Sequence, residues 1–283
     1  MEILDGRKLA LKLKDGLKTE VAGLKAKYGA VPKIVNIMIG ENPDSSAYMN
    51  SQRKAAEYIG IDYELMALPL DVSQEHLCKL ILGLNDDDSV TGVMITKPVP
   101  KHINFSGAAN LIDAYKDIEG INASNIGDLL LGNQTLIPCT AASVMEHLRS
   151  TGVALKGKEV VIIGDSQIVG KPLALLLLRE LATVTVCHIG TSQAGKLVEH
   201  IERADILIVA VGKAGLVKGE WIKSGAIVID VGINEVNGKI VGDVDFEGAV
   251  TRVAFITPVP GGVGPVTSVM LMRNSIGAFL KSR

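Results

Sequence analysis

Apolar residues recur at helical spacing through the first thirty positions, where Leu4, Leu9, Leu11, Leu13, Leu17, Val21 and Leu24 stand among lysines. Pro32 ends that pattern, and the run 34–39 (IVNIMI) predicts a buried strand. Residues 44–58 return to helical period, with Asp44 or Ser45 in the N-cap position and Gly60 just past the end. Strands are expected at 63–67 and 90–95, with a helix at 74–84 between them. The carboxylate run Asp86-Asp87-Asp88 reads as a solvated loop, since three adjacent carboxylates without further ligands make no metal site. A second series begins near residue 157. It predicts strands at 159–163, 183–187, 206–210, 227–230 and 253–256, with helices reaching Leu181 and over 193–203 and 266–279. Strand–helix alternation of this kind specifies an α/β fold with parallel sheets covered by helices. No polar linker separates the two series. The connection at 138–157 is therefore expected to be a helix packed against both, with a ligand cleft between them.

A length of 283 residues suits two domains at about 150 residues each. Hydrophobic residues make up 47% but aromatics only 4%, and aliphatic richness of this kind fits parallel strands buried on both faces. The charges nearly cancel, 29 Lys and Arg against 31 Asp and Glu, so no basic field marks nucleic acid as the main partner. The longest apolar stretches, such as 173–178, fall far short of the ~18 residues of a membrane span. The first residues carry no basic segment followed by an apolar one, so no secretory signal is expected. Cys78, Cys139 and Cys187 share no CxxC spacing, which argues against a disulfide framework or a zinc site and for a reducing cytoplasm.

Two glycine loops carry candidate chemistry. Gly164 and Gly170 flank a strand-to-helix turn, where the first lets the chain turn off the strand. The second lets backbone N–H groups and a helix N-terminus approach a pyrophosphate. The spacing is not GxGxxG, and an ordinary βα turn reads the same way on these glycines alone. The string 257–265 places Gly261-Gly262-Val263-Gly264 between Pro260 and Pro265. Glycine there permits close backbone approach to a flat ligand while the prolines restrict the loop.

Taken together, the motifs resemble the methylenetetrahydrofolate dehydrogenase/cyclohydrolase family across essentially the whole chain. The resemblance rests on Gly40-Glu41-Asn42-Pro43 with Ser46 and Tyr48, on 98–103 (PVPKHI), and on Lys116-Asp117 before Gly120. It continues through Pro138-Cys139-Thr140, Ser166 with 168–172 (IVGKP), 230–234 (DVGIN), Gly242-Asp243-Val244 and 257–265. It implies a cytoplasmic, homodimeric enzyme of folate one-carbon metabolism. Residues 1–137 with 266–283 would form an N-terminal folate domain, and 138–265 a Rossmann-like cofactor domain. It implies Tyr48, Gln52, Thr96 and Glu119 as the catalytic positions. Tyr48, Glu119, Pro98, Pro100, Pro260, Gly261 and Gly262 would bind folate. Gly164, Asp165, Ser166, Ile168, Val169, Gly170, Thr191, Gly212, Gly232 and Ile233 would bind the nicotinamide cofactor, with no metal.

Three of these positions depart from the family. Gln52 stands where the family has the lysine that drives the cyclohydrolase step, Thr96 where it has that lysine's glutamine partner, and Glu119 where it has an aspartate gripping the pterin. Arg53 and Lys54 lie about 100° and 200° further round the helix, so neither replaces the ammonium. Removing a hydride from a carbon between two nitrogens is a positioning task, because the nitrogens stabilise the cation. Hydrolysing the methenyl cation needs proton transfer, which an amide does not perform near pH 7. The expectation is a working dehydrogenase with cyclohydrolase activity weak or absent. The alternatives are a full bifunctional enzyme using NADP and a non-catalytic pterin- or nucleotide-binding paralogue.

Asp165 stands where family members commonly carry Arg, and 188–191 (HIGT) lacks the family's usual Ser and Lys or Arg. A carboxylate repels a 2′-phosphate and accepts from a free ribose hydroxyl, so NAD is expected over NADP. Lys171 and Lys213 are the residues that could restore the missing positive charge. The five histidines are read as surface or helix-end residues.

Overall fold

The structure is a computed structural model that describes residues 1–40, 43–133 and 136–283, the side chains of residues 43–48 excepted. Along the chain run β1 (Glu2–Ile3), α1 (Gly6–Tyr28), β2 (Lys33–Ile39), α2 (Pro43–Ile59), β3 (Asp62–Leu68), α3 (Gln74–Asp86), β4 (Gly92–Ile95), α4 (Phe105–Leu111), α5 (Ala123–Leu131) and α6 (Cys139–Ser150). There follow β5 (Glu159–Ile163), α7 (Gly170–Arg179), β6 (Thr183–Cys187), α8 (Ile189–Gln193), α9 (Leu197–Arg203), β7 (Ile206–Val209), β8 (Ile227–Asp230), β9 (Asn234–Val236), β10 (Lys239–Val241), α10 (Phe246–Val250), β11 (Phe255–Ile256) and α11 (Val263–Lys281).

The chain divides into two compact units. One comprises residues 11–139 and 268–283, the other residues 1–10 and 140–267. The first is built on a parallel three-stranded sheet in the order β3-β2-β4. β2 and β4 are mostly apolar and buried, whereas the edge strand β3 is largely exposed. Val35, Ile37 and Ile39 from β2 and Val93 and Ile95 from β4 pack with Leu77 and Ile81 of α3 and Ala108 of α4. Ser73 caps α3, its side chain accepting from the His76 N–H. A short parallel bridge, Val93 to Asp117, carries the sheet pattern beyond β4.

The second unit holds a six-stranded parallel sheet in the order β1-β11-β8-β7-β5-β6, with a separate β9–β10 hairpin. Val161, Ile163, Leu207, Val209 and Val228 from its central strands pack on Leu197 and Ile201 of α9. The strand order moves outward from β5 in both directions, the arrangement that puts ligands at the carboxyl ends of strands in open α/β sheets. Among the described residues, no helix is long and apolar enough to cross a membrane, and no group of three or more His, Cys, Asp or Glu is placed to hold a metal ion.

Two expectations need correction. Residues 1–10 belong with the six-stranded unit, because β1 pairs in parallel with β11 through Glu2–Phe255 and Ile3–Ile256. The helix expected at 193–203 starts only at Leu197, as α9, after the short α8 that ends at Gln193 and the turn at Gly195, whose φ of 69° is not that of a right-handed helix.

Candidate active site

In the three-stranded unit a polar cluster interrupts an otherwise apolar sheet. Asn36 lies in the middle of β2, in register with Met94 of β4, and Gln52 reaches it from α2. The Asn36 Nδ2 group donates to Gln52 Oε1 at 3.2 Å and to the Tyr63 hydroxyl at 2.7 Å, and that hydroxyl donates to the same Oε1 at 3.0 Å. Thr96 follows β4, its N–H extending the ladder to Ile37 O, and its hydroxyl donates to Asn36 Oδ1 at 2.7 Å. Asn36, Gln52 and Thr96 are buried. Every polar atom of these side chains is thereby engaged except Gln52 Nε2, which is sealed from solvent without a partner among the described residues. A buried orphan donor costs about 1–3 kcal/mol, so its presence in a native site calls for a reason. Burial raises the Tyr63 phenol pKa, against the pull of the Asn36 hydrogen bond.

Glu119 is brought to the same end of the sheet by the segment beside β4. The Val93 N–H bonds Lys116 O, and the Lys116 ammonium caps the end of α3 through the carbonyls of Leu84, Asn85 and Asp87. Buried Asp117 then ties the following turn, accepting from the N–H groups of Gly120 and Asn122 and from Asn125 Nδ2. Glu119 is therefore held on a braced turn. Burial, and next the Asp117 carboxylate, push its carboxyl up to about 7, against the opposing pull of Lys97 and an Ile95 backbone hydrogen bond. The Lys97 ammonium sits 3.9 Å from the centroid of the Phe105 ring.

The structure thus links Gln52 and Thr96 through Asn36 and sets Glu119 beside the strand that carries Thr96. Pro98 and Pro100 follow Thr96 on the surface side. Tyr48 falls within α2, but its side chain lies outside the described residues, as do Glu41 and Asn42. Arg53 and Lys54 are exposed, and Arg53 pairs with Glu57 at 3.9 Å. Sequence reasoning missed Asn36 and Tyr63, although a lone amide inside the apolar run 34–39 was the available signal.

In the six-stranded unit the candidate nucleotide site is built mainly from backbone. Gly164 has φ of 118°, and a Cβ there would stand 2.3 Å from Ala210 O; one on Gly170 would stand 1.9 Å from Gly164 O. Both positions require glycine. α7 starts at Gly170 with Val169 at its N-cap and no side-chain cap. The Lys171 N–H bonds Ser166 O, the Leu173 N–H bonds Val169 O and Pro172 has no N–H, so the Gly170 N–H is the first-turn donor that remains for an anion. The Ser166 hydroxyl accepts from the Val169 N–H and shapes the turn. Gly164, Asp165 and Ser166 line a cavity of about 440 Å³ together with His188, Ile189, Ser192, Val211 and Lys213. The glycine turn, the uncapped helix and this cavity fit a dinucleotide.

Opposite Gly164, a buried carboxylate holds the other wall. Asp243 accepts from the N–H groups of Val211, Gly212 and Lys213 and from Asn234 Nδ2, all within 2.9 Å. Asp230 in turn accepts from the N–H groups of Gly232, Asp243 and Val244. Burial raises the Asp230 carboxyl to about 6, with Asp243 adding to the shift.

Of the other expected cofactor residues, Gly212 lies in the braced loop and Gly232 is packed against Asp243. Ile168 and Ile233 are exposed, and Val169 is buried. The Thr191 side chain is occupied in the capping box of α8, where it accepts from the His188 N–H while His188 Nδ1 accepts from Gly190. In the loop 257–265, Gly261 has φ of 108°, its carbonyl accepts from the Gly6 N–H, and Pro260 is exposed. His147 departs from the surface reading of the histidines. It is buried in α6, and burial lowers its pKa to about 4 against the pull of a backbone hydrogen bond with Gly262.

Comparison with known proteins agrees with this arrangement. Residues 4–119 match the tetrahydrofolate dehydrogenase/cyclohydrolase catalytic domain, and residues 138–283 match the NAD(P)-binding domain of the same family. The chain is 47% identical over 278 residues to the bifunctional protein FolD of Acetivibrio thermocellus, covering 98% of this chain and 96% of that one. The bifunctional protein FolD of Bacillus pumilus is 46% identical, covering 97% and 96%. Among solved structures, the bifunctional enzyme FolD of Campylobacter jejuni superposes with a TM-score of 0.95 at 42% identity, covering 99% of both chains. The Trypanosoma brucei enzyme, solved with NADP cofactor and inhibitor, gives 0.93 at 41%, covering 99% and 97%. With both domains matched and near-half identity along its whole length, the chain belongs to the tetrahydrofolate dehydrogenase/cyclohydrolase family.

Proposed function

We propose that the protein oxidises methylenetetrahydrofolate to the methenyl cation and then hydrolyses that cation to the formyl product. Two relatives above 45% identity are named bifunctional, which supports the two-step reading over loss of the second step. The observation that carries it is Glu119. The cyclohydrolase step needs a group that exchanges a proton near neutrality, and a carboxyl held at about 7 is such a group where Gln52 is not. In this reading Glu119 accepts the proton of the attacking water, while Asp117 and the braced turn hold it in place. A bound nicotinamide supplies the hydride acceptor of the first step. For that step the chain's own residues orient the ligands: Gly164, Gly170 and the first turn of α7 hold the pyrophosphate, and Asp243 fixes the opposite wall.

A second reading keeps the dehydrogenase and drops the hydrolysis. It is favoured by one observation, the locking of Gln52 into a neutral network with no ammonium in it. Following methenyltetrahydrofolate absorbance with purified enzyme separates the two. Hydrolysis that collapses in Glu119→Gln supports the first, and hydrolysis no faster than buffer supports the second.

The cofactor reading is NAD in preference to NADP, supported by the exposed Asp165 carboxylate at the cavity and by the absence of a cation at 188–191. Lys213 lines the same cavity and is the residue through which a 2′-phosphate would be accepted. Steady-state kinetics with each cofactor decide it, and a higher kcat/KM with NADP overturns the preference. A homodimer belongs to the same reading, with sedimentation as its test.

A further inference from the structure

The Gln52 side chain ends in a donor that the protein leaves unsatisfied. Its Oε1 takes hydrogens from Asn36 Nδ2 and the Tyr63 hydroxyl, while Nε2 is buried and unpaired. Turning the amide over would set Nε2 against Asn36 Nδ2, donor against donor, and Asn36 is itself held through its Oδ1 by Thr96. In this arrangement the spare end of the amide is Nε2. Among the described residues nothing uses that end. A buried donor kept in one orientation and left without an acceptor is explained by a ligand oxygen that arrives during the reaction.

We infer that Gln52 Nε2 donates to the oxygen of the one-carbon unit, the atom that enters as water on the methenyl carbon and ends as the formyl oxygen. The inference rests on the folate reading above. In that step the water oxygen bonds to the cationic carbon, and one of its protons passes to the Glu119 carboxylate. The bond from that carbon to N5 then breaks, with its electron pair and the Glu119 proton going to N5. The remaining hydroxyl proton leaves to solvent as the carbonyl forms, so that one proton is released overall. A donor at this oxygen counts for more as electron density gathers there. Being neutral, the Gln52 amide also avoids the repulsion an ammonium would exert on the cationic substrate.

The methenyl substrate has no oxygen on its one-carbon unit and the formyl product has one, whereas the pterin carbonyl is common to both. Titration of the full-length protein with methenyltetrahydrofolate and with a 10-formyl-5-deaza analogue, which cannot close the ring, therefore isolates the contact. In Gln52→Met, similar in length but without a donor, affinity for the formyl ligand is expected to fall about tenfold and that for the methenyl ligand to stay within twofold. Equal loss for both ligands, or loss for neither, overturns the inference. If Gln52→Met fails to fold, Tyr63→Phe removes one of the two hydrogen bonds that orient the amide. A smaller loss confined to the formyl ligand then supports the contact, and a loss shared by both overturns it. Failure of the unaltered protein to bind either ligand overturns the folate reading itself, a result distinct from any of these.

Discussion

In the three-stranded unit the candidate chemistry rests on side-chain heads: an amide, a phenol, a hydroxyl and a raised carboxyl gathered at one end of a sheet. In the six-stranded unit it rests on main chain: two glycines that exclude a Cβ, an uncapped helix, and three N–H groups held by one carboxylate. A site made of side chains can change its chemistry without changing its fold. A site made of backbone tolerates exchange of neighbouring side chains but little change of conformation. The departures from the family follow that division. By the family resemblance Gln52, Thr96 and Glu119 are expected to stand in place of catalytic side chains, while the glycine turn and the 257–265 loop keep the family pattern.

The largest effect expected from breaking this contrast is at Glu119. Glu119→Gln is expected to lower methenyl hydrolysis by about 10²-fold or more, the usual scale for a general acid–base group, and to leave dehydrogenase kcat within about threefold. In the unaltered enzyme the hydrolysis rate is expected to rise with pH through about 7 as the carboxylate forms, and the variant to lose that rise. Stability has the opposite sign. The folded value lies above the ordinary 4.5, so this group's contribution is complete below about 4.5 and declines as pH rises through about 7; denaturant melts across that window, with and without the substitution, check it.

Next is the backbone site. Asp243→Ala releases the N–H groups of Val211, Gly212 and Lys213, and the nucleotide KM is expected to rise about tenfold or more while folate binding by the other unit is retained. Parallel loss of folate binding would show that the two sites are not separable in this way. A smaller change is expected at Asp165, an exposed side chain. Asp165→Ala should shift the ratio of NADP to NAD kcat/KM toward NADP by up to about tenfold, and less at high salt.

The smallest effect concerns stability alone. His147 titrates at about 4 when folded against an ordinary 6.5, so the unfolded chain binds the extra proton first and stability is lost as pH falls from about 6.5 toward 4. His147→Leu removes a buried titratable ring. It is expected to raise the melting temperature by about 2–6 °C at pH 5, and by less at pH 8.

The parallel α/β architecture was legible because buried strands such as β2, β5 and β7 are dominated by apolar residues and set between helical periods. β1 was not, since two residues carry no period and its pairing is set by β11 far along the chain. The β9–β10 hairpin did have a signal. Asn237-Gly238, with φ of 52° and 73°, forms the kind of turn that joins tight hairpins, and the dipeptide was passed over. At the candidate site, residue identities carried the expectation that Gln52 takes the place of the family's lysine. They did not expose the carboxyl that titrates near neutrality, because that property comes from the bridge aligning Glu119 with Asp117 and Ile95.

The edge strand β1 carries a consequence for the order of assembly. Its partner β11 lies about 250 residues downstream, and translation at about 5–20 residues per second separates the two by roughly 13–50 s. During that interval the opening segment has no sheet to join, while the strands from β2 to β8 can already be pairing. The β1 border of this sheet therefore cannot close until the chain has been made as far as β11, later than the pairing of β5 to β8.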